Sequence, residues 1–180
     1  MKRTLLVLLL TFGCGLSSFA QEIIGLGVEL SPLSLKPNYR NWMSRTTGFE
    51  VFGGIASELE EFRPNDAEAG LKVFHTLIYR RTNRIYIGAV GKWKWLNINT
   101  PERSASLPVT GILVGSEWYL RRIYRKGFAV ELGYQVGTKD YEIFSKVTGE
   151  TLGKTTFEEF PLILNLRYSF YKKKKKYFFY

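Results

Sequence analysis

The sequence has 180 residues, with 26 Lys and Arg against 16 Asp and Glu, and it contains one cysteine and one histidine. This length suits one domain with a hydrophobic core, and a single cysteine excludes an internal disulfide. The formal net charge of +10 is compatible with nucleic-acid binding. Whether nucleic-acid-binding proteins can be excluded therefore depends on the N-terminal segment.

Residues 1–20 are predicted to be a secretory signal peptide. Lys2 and Arg3 precede an apolar stretch at residues 5–12, and the segment ends at Ala20 among small residues. That order is typical of signal peptides, and the apolar stretch is too short to span a bilayer as a helix, which takes about 20 residues. Lipidation at Cys14 is the alternative, which we disfavour because the residues before it poorly match the pattern that precedes a lipidated cysteine.

Cleavage after Ala20 leaves 160 residues, and it lowers the net charge to +8 because Lys2 and Arg3 leave without any acid. The mature chain then has no cysteine, which excludes thiol nucleophiles and thiolate metal sites. Because an exported protein rarely meets nucleic acid, we expect no nucleic-acid partner. The basic run at residues 172–176 is more suited to the phosphate groups of lipids or to water.

After the signal, apolar residues recur at every second position, and this period predicts β-strands. Residues 160–171 show it clearly, with Leu162, Leu164 and Leu166 on one face and Asn165 and Arg167 on the other. Eight strands are predicted, at residues 23–31, 38–43, 48–57, 69–80, 84–97, 107–121, 126–145 and 155–171.

The connections between these strands are predicted to alternate in length. Tight basic hairpins fall within residues 41–50, 78–86 and 118–128, and longer polar connections fall at 32–37, 58–68, 99–106 and 146–154. An even strand count with this alternation indicates short periplasmic turns and longer outer loops. The predicted fold is all-β: a single antiparallel up-and-down transmembrane β-barrel at residues 21–171, followed by a basic and aromatic tail at 172–180.

The polar strand face is predicted to line a filled interior. A barrel of about eight strands is only just wide enough for side chains to fill it, and both signs of charge occur at mid-strand. We expect Glu50, Glu117 and Glu131 to oppose the cations there. The candidate lumen network is Glu29, Glu50, Lys72, Lys92, Lys94, Glu117, Glu131 and Arg167. In a water-soluble barrel, the alternative, the same charges would face solvent.

Aromatic residues gather near the predicted strand ends. Transmembrane barrels carry such residues in two girdles at the membrane interfaces. The candidate interfacial aromatics are Trp42, Trp93, Trp95, Trp118, Tyr168 and Phe170.

The signal peptide, the eight-strand alternation, the hairpin sequence at residues 41–50 and the closing sequence at 164–170 together resemble small outer-membrane β-barrel proteins of the OmpA/OmpX-like type, particularly members from Bacteroidetes-like bacteria. The resemblance implies insertion by the barrel assembly machinery, which reads a terminal aromatic residue of the last strand. Here the basic run follows that strand, so Phe170 and Tyr180 are both candidates for the signal.

No catalytic site, metal site or cofactor is predicted. His75 shares a strand face with Leu71 and Val73, and no serine and acid can be paired with it from the sequence. The acidic residues at 58–68 show no ordered calcium-loop spacing, and the glycines precede no helix as a nucleotide-binding loop requires.

The predicted function is therefore that of an outer-membrane barrel with a filled interior, acting structurally or through its outer loops. Its expected partners are outer-membrane lipid and lipopolysaccharide, and the assembly machinery during insertion. One alternative is a periplasmic lipocalin-like carrier with its apolar face turned inward around a small hydrophobic ligand. The other is a barrel-embedded lipid-modifying enzyme.

Overall fold

The computed structural model describes residues 23–32, 34–57, 64–80, 82–96, 105–120, 126–144 and 151–173. The predicted signal peptide and residues 174–180 of the predicted tail lie outside this part. The described residues form ten strands: β1 Ile23–Ser31, β2 Ser34–Trp42, β3 Thr47–Ser57, β4 Pro64–Tyr79, β5 Asn83–Leu96, β6 Ala105–Leu120, β7 Lys126–Val136, β8 Thr138–Phe144, β9 Thr151–Glu158 and β10 Leu162–Lys173.

Eight of these strands close into an antiparallel barrel in the order β1, β10, β7, β6, β5, β4, β3, β2. The closing ladder joins the first and last strands, with Gly25 opposite Tyr171 and Glu29 opposite Arg167. Closure leaves no free sheet edge in the barrel, so its backbone donors and acceptors are satisfied between strands. The predicted all-β, eight-stranded barrel fold is confirmed.

The barrel has two ends that differ in their connections. At the terminus end lie Ile23, Lys173 and the connections at residues 43–46, 80–82 and 121–125; at the loop end lie those at 32–33, 58–63, 97–104 and 137–161. The turn at 43–46 is closed locally, since the Ser44 hydroxyl accepts hydrogen bonds from the backbone amides of Thr46 and Thr47.

The remaining two strands, β8 and β9, pair only with each other and form a hairpin at the loop end. It continues from the β7–β10 pair, because the Glu159 amide donates to the Gly137 carbonyl and the Gln135 amide donates to the Pro161 carbonyl. The sequence predicted single strands at 126–145 and 155–171, which is wrong. Gly137 interrupts the first, and Pro161, which has no amide proton for a ladder, interrupts the second.

Two further boundaries differ from the prediction. β2 begins at Ser34 and not at residue 38, so only two residues separate it from β1 and the expected long connection at 32–37 is wrong. β4 begins at Pro64, five residues before the predicted start. At the other end, β10 extends to Lys173, which pairs with Ile23 two residues beyond the expected barrel boundary at Tyr171.

Side chains alternate between the inside and the outside of the barrel wall. The outward faces of all eight barrel strands carry exposed large apolar residues, such as Leu26 at 63% and Ile112 at 69% exposed. Among the described residues no Asp, Glu, Lys or Arg points outward between the two ends of the barrel, and Lys126 and Lys172 lie at the terminus end. Between the two ends of the barrel, the charged residues of its eight strands therefore face inward.

None of the described residues forms a helix long and apolar enough to cross a membrane.

Candidate functional site

The interior holds fourteen charged side chains in the described part of the chain. Seven are acids and seven are bases, so the formal charge of the interior is zero. They are Glu29, Lys36, Arg40, Glu50, Asp66, Glu68, Lys72, Arg84, Lys92, Lys94, Glu117, Glu131, Glu159 and Arg167.

At mid-height each of the eight barrel strands contributes one side chain to a connected network, here called the central cluster. In strand order its members are Glu29, Arg40, Glu50, Lys72, Tyr86, Glu117, Glu131 and Arg167. All eight are at most 1% exposed. Because every barrel strand supplies a member, the cluster connects all eight strands across the lumen.

Arg40 and Arg167 are the two guanidinium groups of the central cluster. Arg40 donates from Nε to Glu50 Oε2 at 2.6 Å and from Nη1 to the Tyr86 hydroxyl at 2.8 Å, and it also pairs with Glu131. Arg167 donates from Nη1 to Glu50 Oε2 at 2.6 Å and pairs with Glu117. Glu50 thus accepts hydrogen bonds from both guanidinium groups. These charge-assisted bonds offset part of the free-energy cost of burying the ions.

Lys72 occupies the centre of three carboxylates. Oxygen atoms of Glu29, Glu50 and Glu131 lie within 4.8 Å of one another, a spacing that suits a bound cation. The Lys72 ammonium lies 3.1 Å from Glu50 Oε1 and 2.7 Å from Glu131 Oε2, and it also contacts Glu29. The Lys72 ammonium therefore supplies the positive charge that a bound cation would otherwise provide at this position.

Toward the terminus end the lumen is filled by aromatic rings. Trp42, Phe74 and Tyr86 pack with ring centroids 4.9 to 5.6 Å apart, and the Arg84 guanidinium lies 3.8 Å from the Trp42 ring centroid. Trp42 also donates a hydrogen bond to Glu117 at 3.0 Å. The prediction that Trp42 lies at the membrane interface is wrong, because its side chain is 0% exposed and points into the barrel.

Glycines on the interior strand faces make room for these rings. Gly48, Gly88 and Gly115 stand directly opposite Trp42, Phe74 and Tyr86 in the ladders. A Cβ atom on any of the three would overlap the facing ring. The large aromatic residue on one strand is accommodated because its neighbour has no side chain.

Toward the loop end lies a second group, the mouth cluster, made of Lys36, Asp66, Glu68, Lys92, Lys94 and Glu159. Lys92 bridges Glu68 at 3.0 Å and Glu159 at 2.7 Å. Lys36 joins this cluster to the central one, lying 3.3 Å from Glu68 and 3.2 Å from Glu29. The mouth cluster is less enclosed, with the Lys94 side chain 12% exposed.

Glu159 is the one member of the mouth cluster that does not lie on a barrel strand. It belongs to the connection between β9 and β10, and its carboxylate reaches Lys92 and Lys94 at 2.7 and 3.3 Å. Gln135 donates to the same carboxylate at 3.3 Å and to the Phe160 carbonyl at 2.8 Å. These contacts attach the connection to the mouth of the barrel.

Between the two clusters is a cavity of about 50 Å³, lined in part by Lys36, Phe52, Glu68, Lys92 and Asn165. Pockets for organic ligands are typically about 300 to 1,000 Å³, whereas one water needs roughly 10 to 15 Å³ of such space. This cavity accommodates a few waters and excludes a hydrophobic ligand of ordinary size.

The structure places all eight candidate lumen residues inside the barrel, but it divides them between the two clusters. Lys92 and Lys94 pair with Glu68, Asp66 and Glu159 instead of opposing Glu50, Glu117 and Glu131. The sequence interpretation missed six members of the network: Lys36, Arg40, Asp66, Glu68, Arg84 and Glu159. Asp66 and Glu68, which the sequence placed in a polar connection at 58–68, lie on β4 and are 3% exposed inside the barrel.

A signal for two of the missed residues exists in β2. Had the strand been extended back to residue 34, the parity of its positions would have placed Lys36, Arg40 and Trp42 on one inward face. Glu159 had no such signal, because it lies in an irregular connection where strand parity does not apply.

Apart from Trp42, the candidate interfacial aromatics point outward and are 38 to 57% exposed: Trp93, Trp95, Trp118, Tyr168 and Phe170. Trp118 stacks against Phe128 at 6.2 Å between centroids, and Tyr168 meets Phe170 edge-on at 5.2 Å. Of the two candidate assembly signals, Phe170 is on β10 and Tyr180 lies outside the described residues. His75 also points outward from β4, with Thr47 and Ile87 as its ladder partners.

Comparison with known proteins identifies the architecture. No protein-family profile matches the sequence, and no curated protein matches it. Among solved structures, the fold is similar to the crystal structure of the N-terminal β-barrel domain of Pseudomonas aeruginosa OprF, with a TM-score of 0.55 and 12% sequence identity over 86% of this chain and 98% of that domain. The likeness at this identity is one of fold: a closed, eight-stranded, antiparallel barrel of the kind found in an outer-membrane protein domain.

Proposed function

We propose that this protein is an exported outer-membrane β-barrel that acts as a membrane anchor for the connections at its loop end. The observation that carries the proposal is the polarity of the wall: large apolar residues face outward on all eight barrel strands, while the charged residues of these strands between the two ends face inward. A barrel stable in water requires the reverse arrangement, because burial of apolar surface drives its folding.

A bilayer explains both faces at once. Hydrocarbon solvates the exposed band of residues such as Leu26, Leu132 and Ile112, which are 52 to 69% exposed. Lipid also demands that the backbone be hydrogen-bonded internally, which the closed ladder achieves. The outward Trp93, Trp95, Trp118, Tyr168 and Phe170 then act as interfacial aromatics.

The filled interior supports an anchoring role over a transport role. Open aqueous channels belong to barrels of about 16 strands or more, and here the central cluster and the aromatic rings occupy the lumen. The cavity of about 50 Å³ does not suit a carrier of hydrophobic ligands. We assign no catalytic step to the barrel, and we place interactions with lipopolysaccharide or a partner protein at the loop end.

Cell fractionation of a strain expressing the full chain tests the proposal. The protein is expected in the outer-membrane fraction, beginning at Gln21, resistant to a carbonate wash and extracted only by detergent. In planar bilayers the purified barrel is expected to show no steady conductance. Recovery in the soluble periplasm without detergent would instead support the lipocalin-like carrier and overturn the membrane assignment.

A further inference from the structure

In the sequence, the segments that adjoin the strand ends at the terminus end are strongly basic. The interior is neutral, as described above. The terminus-end segments 43–46, 80–82, 121–126 and 172–180 contain twelve Lys and Arg and no acid, and Glu22 is the one acid that precedes β1 in the mature sequence. The loop-end segments 58–63, 97–104 and 137–158 contain five bases and eight acids.

Among the described residues, four bases at the terminus end have exposed side chains: Arg45, Arg80, Lys126 and Lys172. Lys126 borders an outward aromatic of that end, since its Nζ lies 5.9 Å from the ring centroid of Phe170, which is 57% exposed. Because outward aromatics of a membrane barrel lie at the headgroup level, Lys126 lies at the depth of lipid phosphates.

The chemistry of a ligand for this end follows from its charge. A set of cations without acids attracts phosphate oxygens, and each Lys or Arg near an anionic lipid surface adds roughly 1 kcal/mol, which is about fivefold in binding. The terminus end carries the short turns, which face the periplasm in outer-membrane barrels. The lipid leaflet on that side consists of glycerophospholipids.

We propose that the terminus end is a binding surface for the phosphate groups of anionic glycerophospholipids, with contacts from Arg45, Arg80, Lys126 and Lys172. This inference rests on the proposed membrane location and adds the lipid class and the leaflet.

Two tryptophans on the outer surface allow each end to be tested separately. Trp118 lies near the terminus end and Trp95 near the loop end, and their side chains are 40% and 41% exposed. One reporter variant, Trp93→Phe/Trp95→Phe, keeps Trp118. The other, Trp93→Phe/Trp118→Phe, keeps Trp95. Both retain the interior Trp42, which is 0% exposed and gives a constant background.

Each reporter is reconstituted as the mature chain in phosphatidylcholine bilayers that contain brominated phosphatidylglycerol or, in a parallel sample, brominated phosphatidylcholine. Bromine quenches a nearby tryptophan, so the ratio of the two quenching constants measures lipid preference. We expect brominated phosphatidylglycerol to be favoured severalfold at Trp118 and the ratio to be close to one at Trp95. At about 1 M salt, where the Debye length is roughly 3 Å, the preference at Trp118 should largely disappear.

Matched charge variants identify the residues responsible. Lys126→Gln/Lys172→Gln should lower the Trp118 ratio at least twofold, and addition of Arg45→Gln and Arg80→Gln should bring it close to one. The control, Lys139→Gln/Lys154→Gln, also removes two positive charges, but at the loop end, and it should leave the Trp118 ratio unchanged.

The outcomes separate this inference from the proposed function. Absence of quenching at both tryptophans by either lipid would overturn the membrane location itself. Equal quenching of Trp118 by both lipids, or an equal effect of the loop-end control, would overturn the binding surface alone. If added lipid A relieves the phosphatidylglycerol quenching more strongly than unbrominated phosphatidylglycerol does, the assignment to glycerophospholipids is wrong.

Discussion

The inner and outer faces of the barrel wall have opposite chemistry although they are made of the same strands. On β7, Glu131 is 0% exposed and meets Arg40 and Lys72, while the next residue, Leu132, is 52% exposed on the outside. The inner face is specific, since each charge needs particular partners on other strands. The outer face is generic, since hydrocarbon accepts any apolar side chain. Substitutions that compare the two faces should therefore differ in size and in the way they are rescued.

The largest effect is expected in the central cluster. Arg167→Met removes the guanidinium between Glu50 and Glu117 and leaves both carboxylates buried without it. Removal of one partner of a buried pair typically costs about 3 to 5 kcal/mol, measured here as the free energy of unfolding by urea in lipid vesicles.

A double variant is the control for this change. Arg167→Met/Glu117→Gln removes one charge of each sign and should recover part of the lost stability. An unfolding midpoint unchanged by Arg167→Met would show that the central cluster does not stabilise the barrel.

On the outer face, Leu132→Arg should cost about 2 to 4 kcal/mol if the site lies near the bilayer midplane. The control is Gln135→Arg on the inner face, which places a third cation beside the Glu159 carboxylate, after Lys92 and Lys94, and should be milder. Unfolding in bilayers measures both. Equal tolerance of the two substitutions would contradict the assignment of the outer face to lipid.

A glycine pair compares the space available on the two faces. Gly115→Ala places a methyl group against the buried Tyr86 ring, whereas at Gly91, which faces outward, a Cβ atom would have no other atom within 4 Å. Overpacking typically costs about 1 to 3 kcal/mol, so Gly115→Ala should lower the unfolding midpoint. Gly91→Ala should be neutral or slightly stabilising, and equal losses at both sites would show that space inside the barrel is not limiting.

The smallest effect is expected at the mouth of the barrel. Glu159→Gln removes one carboxylate, but Lys92 keeps Glu68 at 3.0 Å and Lys94 keeps Asp66 at 3.4 Å. Because the two lysines keep these partners and the Glu159 side chain remains 8% exposed, we expect a smaller loss than for Arg167→Met, measured by the same urea unfolding. A loss as large as that of Arg167→Met would mean that the mouth and the centre of the interior are equally important for stability.

Strand parity explains how much of the site was predictable. Parity is a local property, because consecutive side chains point to opposite faces. It correctly assigned Glu131 and Leu132 to opposite faces before any pairing was known. Parity within the predicted strand at 38–43 places Arg40 and Trp42 on one face, but that face was not identified as the inner one, whereas Lys36 was missed because β2 begins at Ser34 and not at residue 38.

The hairpin of β8 and β9 shows a different limit. Its residues continue the strand pattern of β7 and β10, and the break depends on where the barrel ladder ends. That point is set by the offset of β7 against β10, which ends where Tyr134 meets Leu162. Gly137 and Pro161 mark the break in the sequence, but the position at which the ladder ends depends on how the two strands pair.

The sequence by itself determined the β-class, the two-faced wall and the excess of positive charge, because each follows from residue types and their spacing along the chain. Only the tertiary structure decided which charges meet. Arg40 and Glu131 are 91 residues apart in the chain, and they come together because eight strands close at one particular register. Contacts across the lumen depend on the stagger of the entire barrel, which is a property of all its ladders together and of no single strand.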